Sequence, residues 1–209
     1  MKYDANCRDC ERLSSFLNQV KDKNPDYFCR PVPSFGEKKT PFLIVGLAPG
    51  MHGANKTGRP FTGDHAGILL YKTLYKFGFS NSEKSESTSD NLILNRCRIT
   101  NAVKCLPPDN KPSSTEIKNC NKFLRSEISE LNEKSILLAL GLIAHNAILT
   151  ALNLPKKEYK FIHGKRHNLP KNFVLYDSYH CSRYNTQTKR LTESMFHEVF
   201  LSIKTEMEI

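Results

Sequence analysis

The sequence predicts an α/β fold of three layers, with helices on both faces of a central four-stranded parallel sheet. Four short apolar runs, each followed by a helical pattern, carry this expectation, because strands that alternate with helices must return in the same direction. The polar chemistry also gathers just after those runs, at the edge where open α/β sheets bind ligands. At 209 residues the chain suffices for one well-buried domain spanning 1–209, and is short for two.

In chain order, the first run covers 42–47 and leads through a long glycine-rich turn to a helix over 67–77, with Ile68, Leu69, Tyr71, Leu74 and Tyr75 at helical spacing. A stretch rich in Ser, Asn, Glu and Asp follows at 81–91 and reads as a flexible surface loop. The second run, 98–103, precedes a helix over 116–131 that opens with a capping box of Ser113 and Glu116 behind Pro112. The third, 135–140, passes through Gly141 into a helix over 142–152. The fourth, 173–179, is followed by a loop and a helix over 192–207. Asp64 therefore follows the first strand, Asn101 and Asn110 the second, Gly141 the third and His180 the fourth. One crevice would collect them all.

Lysine and arginine number 31 against 21 acids, a formal net charge of +10. Such a balance favours an anionic partner, nucleic acid first. No apolar run approaches the roughly 18 residues of a membrane span, and the N-terminus carries no secretory pattern. A cytoplasmic monomer is the expectation. Seven cysteines without an export signal argue against a disulfide framework. Cys7 and Cys10 form a Cys-x-x-Cys pair, and Cys105 and Cys120 flank a loop and a helix start. Four such thiolates brought together hold either zinc or an iron–sulfur cluster, with Cys29 an alternative ligand.

Residues 46–64 carry a ring (Phe61), a carboxylate (Asp64) and several basic or amide side chains. They suit a planar polar group beside an anionic backbone. The same stretch nearly matches a phosphate-binding loop, but Asn55 stands where the second glycine is required.

Gly46-Leu47-Ala48-Pro49 with His52-Gly53-Ala54-Asn55 and Phe61-Thr62-Gly63-Asp64, then Cys105-Leu106-Pro107-Pro108-Asp109-Asn110-Lys111-Pro112, then His180-x-Ser182-Arg183-x-Asn185 before Arg190-Leu191-Thr192, resemble in order the motifs of the uracil-DNA glycosylase superfamily. The likeness is strongest to its fifth family, the B-type iron–sulfur enzymes of bacteria and archaea. Two departures stand out: Cys181 replaces the proline that usually follows the motif histidine, and Gly50 and Met51 stand where small residues are usual.

The resemblance implies a monofunctional DNA-repair glycosylase. It would excise uracil, with hypoxanthine and other deaminated bases as the wider range, from double-stranded DNA in the cytoplasm, at the nucleoid. It places [4Fe–4S] ligands at Cys7, Cys10, Cys105 and Cys120. Because Leu47-Ala48-Pro49 cannot act as a base, the catalytic carboxylate falls to Asp64, unless that residue merely caps the following helix. His180 would donate to the departing base. Asn110 would read its edge and Phe61 would stack on it, with Asn55, Gly46 and Ala48 completing the pocket. Arg59, Lys111, Ser182 and Arg183 would meet DNA, with Lys56 beside them and a second basic run of Lys156, Lys157, Lys160, Lys165, Arg166 and Lys171. The rival is a non-catalytic iron–sulfur or zinc protein of the same fold that binds DNA.

Overall fold

The computed structural model describes residues 2–208. Two apolar runs make its central strands, β2 (Phe42–Gly46) and β4 (Ile136–Leu140), buried along their whole length. Burial on both faces is what a continuous apolar strand requires. β2 lies parallel to β3 (Arg98–Asn101) on one side and to β4 on the other, and β4 lies parallel to β6 (Val174–Ser178). Two short strands close the edges antiparallel: β1 (Phe35–Gly36) on β3 and β5 (Arg166–Asn168) on β6. The sheet is thus six-stranded and mixed, in the order β1-β3-β2-β4-β6-β5. This corrects the four-stranded parallel expectation. Strands of two and three residues are too short to show a period, and Arg-His-Asn has no β-forming character.

Alternate side chains along the strands serve opposite layers. Phe42 and Ile44 join Leu70 and Leu74 of α3 (His65–Lys76) and Phe196 and Phe200 of α7 (Glu193–Glu208). Leu43, Val45, Leu137 and Ala139 pack instead on α4 (Ser114–Ser129) and α5 (Leu142–Ala151). The capping box on α4 is formed, with Ser113 and Glu116 bonding each other's backbone N–H. Three helices were not foreseen: α1 (Glu11–Lys23), α2 (Ala54–Thr57) and α6 (Arg183–Gln187). α1 buries Leu13, Leu17 and Val20, and so seats the N-terminal cysteines beside the β3 exit.

The turn-rich stretch at 81–91 is fastened rather than loose. Asp90 accepts the backbone N–H groups of Glu86, Ser87 and Leu92 and pairs with Arg59 at 2.7 Å. Ser85 meets Thr62 at 2.6 Å. Among the described residues no helix is long and apolar enough to cross a membrane. Because β2, β3, β4 and β6 run in parallel, their carboxyl ends share one edge, and the motif residues assemble there.

Candidate active site

Asp64 stands at the N-cap position of α3 but makes no capping hydrogen bond. Its carboxylate turns back onto the glycine-rich loop, where Oδ2 accepts the Ala54 N–H at 3.1 Å. The structural role weighed from sequence, a helix cap, is therefore not the one it plays. The glycines explain the pose. A Cβ on Gly53 would lie 1.9 Å from Asp64 Oδ1, and one on Gly50 2.2 Å from the same atom. Burial raises the Asp64 carboxyl above its ordinary range, while the backbone N–H groups of Ala54 and Gly50 pull the other way. A carboxylate raised in this manner is a better proton acceptor.

Phe61 takes a left-handed backbone, φ 59°, and is buried. Two glycines clear its place: a Cβ on Gly46 would strike the ring at 2.6 Å, and one on Gly67 would strike the Phe61 carbonyl at 1.9 Å. The ring stacks on the His180 imidazole, with centroids 5.9 Å apart and planes 25° from parallel. Protein atoms crowd His180, and burial lowers its pKa to about 4. The ring is thus neutral at physiological pH and donates as an imidazole. A Cβ added at Gly141, where φ is 95°, would lie 3.5 Å from the His180 Cβ. The His180 carbonyl accepts the Asn185 amide at 2.8 Å.

Asn101, the last residue of β3, also points at this spot. It is 3% exposed, its Oδ1 has no hydrogen-bond partner, and that atom lies 2.4 Å from where a Gly46 Cβ would stand. A buried amide oxygen left unpaired costs roughly 1–3 kcal/mol. Such an orphan beside an aromatic ring calls for a donor from outside the chain. A cleft of about 630 Å³ opens alongside, lined by Phe61, Asp64, Ile68, Lys72 and Arg183 among others.

Cys7, Cys10, Cys105 and Cys120 gather around Leu13, Val103 and Phe123 in an apolar recess. The Lys104 N–H reaches Cys120 Sγ at 3.2 Å and the Asn119 amide reaches Cys10 Sγ at 3.7 Å. Burial raises all three of the Cys10, Cys105 and Cys120 thiols, Cys120 to about 11, and neighbouring sulfurs add to the effect. No three of the sulfurs lie within 4.8 Å of one another; among the described residues His145, His167 and Asp177 are the one trio that does. Tetrahedral zinc would draw sulfurs to about 3.8 Å, from a Zn–S bond near 2.3 Å. Four thiols in one recess are a donor set of the kind that holds zinc or an iron–sulfur cluster. The His145–His167–Asp177 trio is satisfied within the chain. His145 Nδ1 lies 2.6 Å from the Asp177 carboxylate and Nε2 2.8 Å from the Tyr159 carbonyl, so both ring nitrogens already have partners within the chain.

Residues 33–204 match the Uracil DNA glycosylase superfamily. The chain belongs to that superfamily. It is 42% identical over 203 residues to the type-5 uracil-DNA glycosylase of Thermus thermophilus, an alignment covering 95% of this chain and 92% of that protein. Against the type-5 uracil-DNA glycosylase of Pyrobaculum aerophilum it is 39% identical over 199 residues, 93% and 86% of the two chains. A type-4 uracil-DNA glycosylase of the same organism is 32% identical over 160 residues, covering 75% of this chain and 73% of the other.

On this superfamily scaffold the residues expected at the site differ in burial and in the partners they already hold. Asn110 sits exposed on the 3₁₀ turn Pro108–Asn110, whereas Asn101, at the end of β3, is buried. The strand-end position of Asn101 was visible in the sequence; its orphaned oxygen was not. Arg59 does not reach the surface. It is 4% exposed, paired with Asp90 and laid 4.8 Å over the Phe35 ring. Ser182 accepts the Asn185 N–H at the start of α6 and keeps its own O–H to donate. Arg183 and Lys111 are exposed, as a DNA-facing rim requires. Asn55 is wholly buried, donating to Cys29 Sγ with its own Oδ1 unpaired. Ala48 packs on the cysteine recess rather than the ring. In the basic run Arg166 is taken by Glu206 at 2.6 Å, whereas Lys156, Lys157, Lys160 and Lys171 stay exposed. Cys181 is wholly buried in the main core, where it anchors the turn after His180 without the usual proline.

Proposed function

We propose that the protein hydrolyses the N-glycosidic bond of uracil in double-stranded DNA, releasing the base and leaving an abasic site. One observation carries the reading above the rest: the Asp64 carboxylate is bent out of its capping role and held, with raised proton affinity, in a cleft that the Phe61 ring also lines. The uridine is swung out of the duplex into the pocket. Phe61 stacks on the base, worth roughly 1–3 kcal/mol by comparison with other base-stacking platforms. Asn101 accepts from N3–H through its free oxygen and donates to O4 through its amide nitrogen. His180, neutral, donates to O2, where negative charge collects as the bond to C1′ breaks. Asp64 opposes the cationic sugar and takes a proton from the attacking water. The hydroxyl joins C1′, and the proton ends on the uracil anion.

Cys7, Cys10, Cys105 and Cys120 would hold a [4Fe–4S] cluster, which supplies a covalent tie between the N-terminal segment and the β3 exit and no redox step. Phosphate contacts would come from Lys111, Arg183, Lys56 and the exposed lysines of 156–171. Their contribution is independent of sequence and weakens with salt.

The test is a duplex with a single uracil, treated with protein and then alkali. Strand breakage should appear with the wild type and vanish in D64A and H180A. Binding without abasic sites would refute the glycosylase reading in favour of a DNA-binding role. Parallel duplexes with hypoxanthine or a thymine mismatch define the base range. Broad absorbance near 400 nm, with four irons per chain and none after any of the four Cys→Ser changes, tests the cluster.

A further inference from the structure

His180 owes its placement to the backbone just before it, and that backbone has run out of sheet. The register of β6 ends with Leu140 opposite Ser178 on one side and Arg166 opposite Tyr176 on the other. The Tyr179 N–H therefore has no strand to bond. A side chain takes it: His163 Nδ1 accepts the Tyr179 N–H at 3.0 Å.

The same imidazole lies flat on the Tyr179 ring, centroids 4.9 Å apart and planes 9° from parallel, and Arg190 stacks on that ring at 4.8 Å. The segment carrying His163 is fixed to β6 at several points. The Gly164 N–H donates to the Asp177 carbonyl at 2.8 Å, the Asp177 N–H to the Lys165 carbonyl at 3.0 Å, and the Ile162 N–H to the Asp177 carboxylate at 3.3 Å. That carboxylate is wholly buried and also receives His145 and His167.

We infer that His163 is a positioning residue for the reaction: by accepting the Tyr179 N–H it substitutes for a missing strand and fixes where His180 points. The inference rests on the proposed role of His180. An acceptor at Nδ1 requires the neutral ring with its proton on Nε2. Burial favours that form, lowering the pKa, against the Met195 carbonyl, which the ring bonds, and the charges of Glu198 and Asp177. Among the described residues no other exposed or half-buried histidine bonds the backbone of the His180 turn. A misplacement of about 1 Å at a reacting group can cost on the order of 100-fold in rate.

Two substitutions separate the bond from the packing. H163F keeps a ring on Tyr179 and removes the acceptor; H163N keeps an acceptor near the Nδ1 position and removes the ring. Single-turnover excision of uracil should fall about 10- to 100-fold in H163F, with duplex affinity unchanged, and stay within about threefold of wild type in H163N. Hydrogen exchange at the Tyr179 amide, measured on the same proteins, should accelerate in H163F alone. A folded H163F with wild-type rate and exchange overturns the inference, as does an H163N that loses as much as H163F. If exchange accelerates while excision does not change, the hold on the turn is real and the role given to His180 is what fails.

Discussion

Gly53→Ala should slow the enzyme severely without removing a single reacting atom. The added Cβ would stand 1.9 Å from Asp64 Oδ1, 2.0 Å from Cγ and 2.4 Å from Oδ2. Non-bonded atoms settle at about 3.5 Å, so the carboxylate must retreat by roughly 1.5 Å. That retreat stretches the 3.1 Å bond from the Ala54 N–H past any useful length. It also turns the proton-accepting oxygen away from the water. A displacement of this size corresponds to about 100-fold or more in the chemical step. The assay is single-turnover cleavage of a uracil duplex with enzyme in excess, alongside duplex affinity and thermal melting. The rate should fall by that factor while affinity stays within about threefold, because the phosphate contacts lie elsewhere. Gly78→Ala is the control: φ is 81° but nothing lies within 4 Å, so it should lose about 1 kcal/mol of stability and no activity. A G53A protein that cleaves within threefold of wild type would refute the argument that Asp64 must sit in this cradle to work.

Three further outcomes follow from the same geometry. Asn101→Ala should lower the excision rate about 10- to 100-fold, by loss of roughly 1–3 kcal/mol of base recognition, while Asn110→Ala leaves the rate on uracil unchanged; equal effects would return the base-reading role to Asn110. The stability of the wild type should fall as pH drops from 6.5 towards 4, because the unfolded chain protonates His180 throughout that window and the folded chain does not; urea titrations of H180N should lack this loss, which is at most about 3 kcal/mol, and identical pH curves for the two proteins would contradict it. Arg183→Ala should reduce the slope of log affinity against log salt by about one, whereas Arg59→Met should leave that slope intact and cost about 3 kcal/mol of stability by stranding Asp90; a changed slope in R59M would put Arg59 back on the DNA.

The layering, the four long strands and the helices α3, α4, α5 and α7 are legible in the sequence because each has a period or a cap. Leu70 and Leu74 face one core and Ser113 with Glu116 announces a helix start. The edge strands are not legible: Phe35–Gly36 and Arg166–Asn168 are made by neighbours that pair with them, not by their own preferences. α1 had the spacing to be found in Leu13, Leu17 and Val20, obscured by the cysteines just before it. At the site, residue types near a strand end are visible and orientation is not. Asn110 follows two prolines and looks like a platform, yet the turn carries it to the surface. Asn101 is visible as a strand-end residue, and its unpaired oxygen is what the sequence does not show. Arg59 reads as a free cation because its partner Asp90 lies 31 residues away, in a loop whose composition suggested no structure.

The resemblance of residues 50–57 to a phosphate-binding loop has a physical basis after all. Such loops end in a helix whose first N–H groups have no internal partner and attract an anion. Here the short helix α2 begins at Ala54, and its free N–H is taken by Asp64. The chain supplies its own anion. A phosphate in that place would displace the carboxylate, so the loop cannot serve both purposes, and the glycines that admit Asp64 at 50 and 53 are fitted to a side chain rather than to a nucleotide. The cradle also sets the chemistry. Full exposure would leave Asp64 an ordinary weak base, and burial without donors would protonate it at the working pH. Here burial raises its proton affinity and two backbone N–H groups, of Ala54 and Gly50, pull it back. That balance is what a residue needs to accept a proton from water beside a cationic sugar.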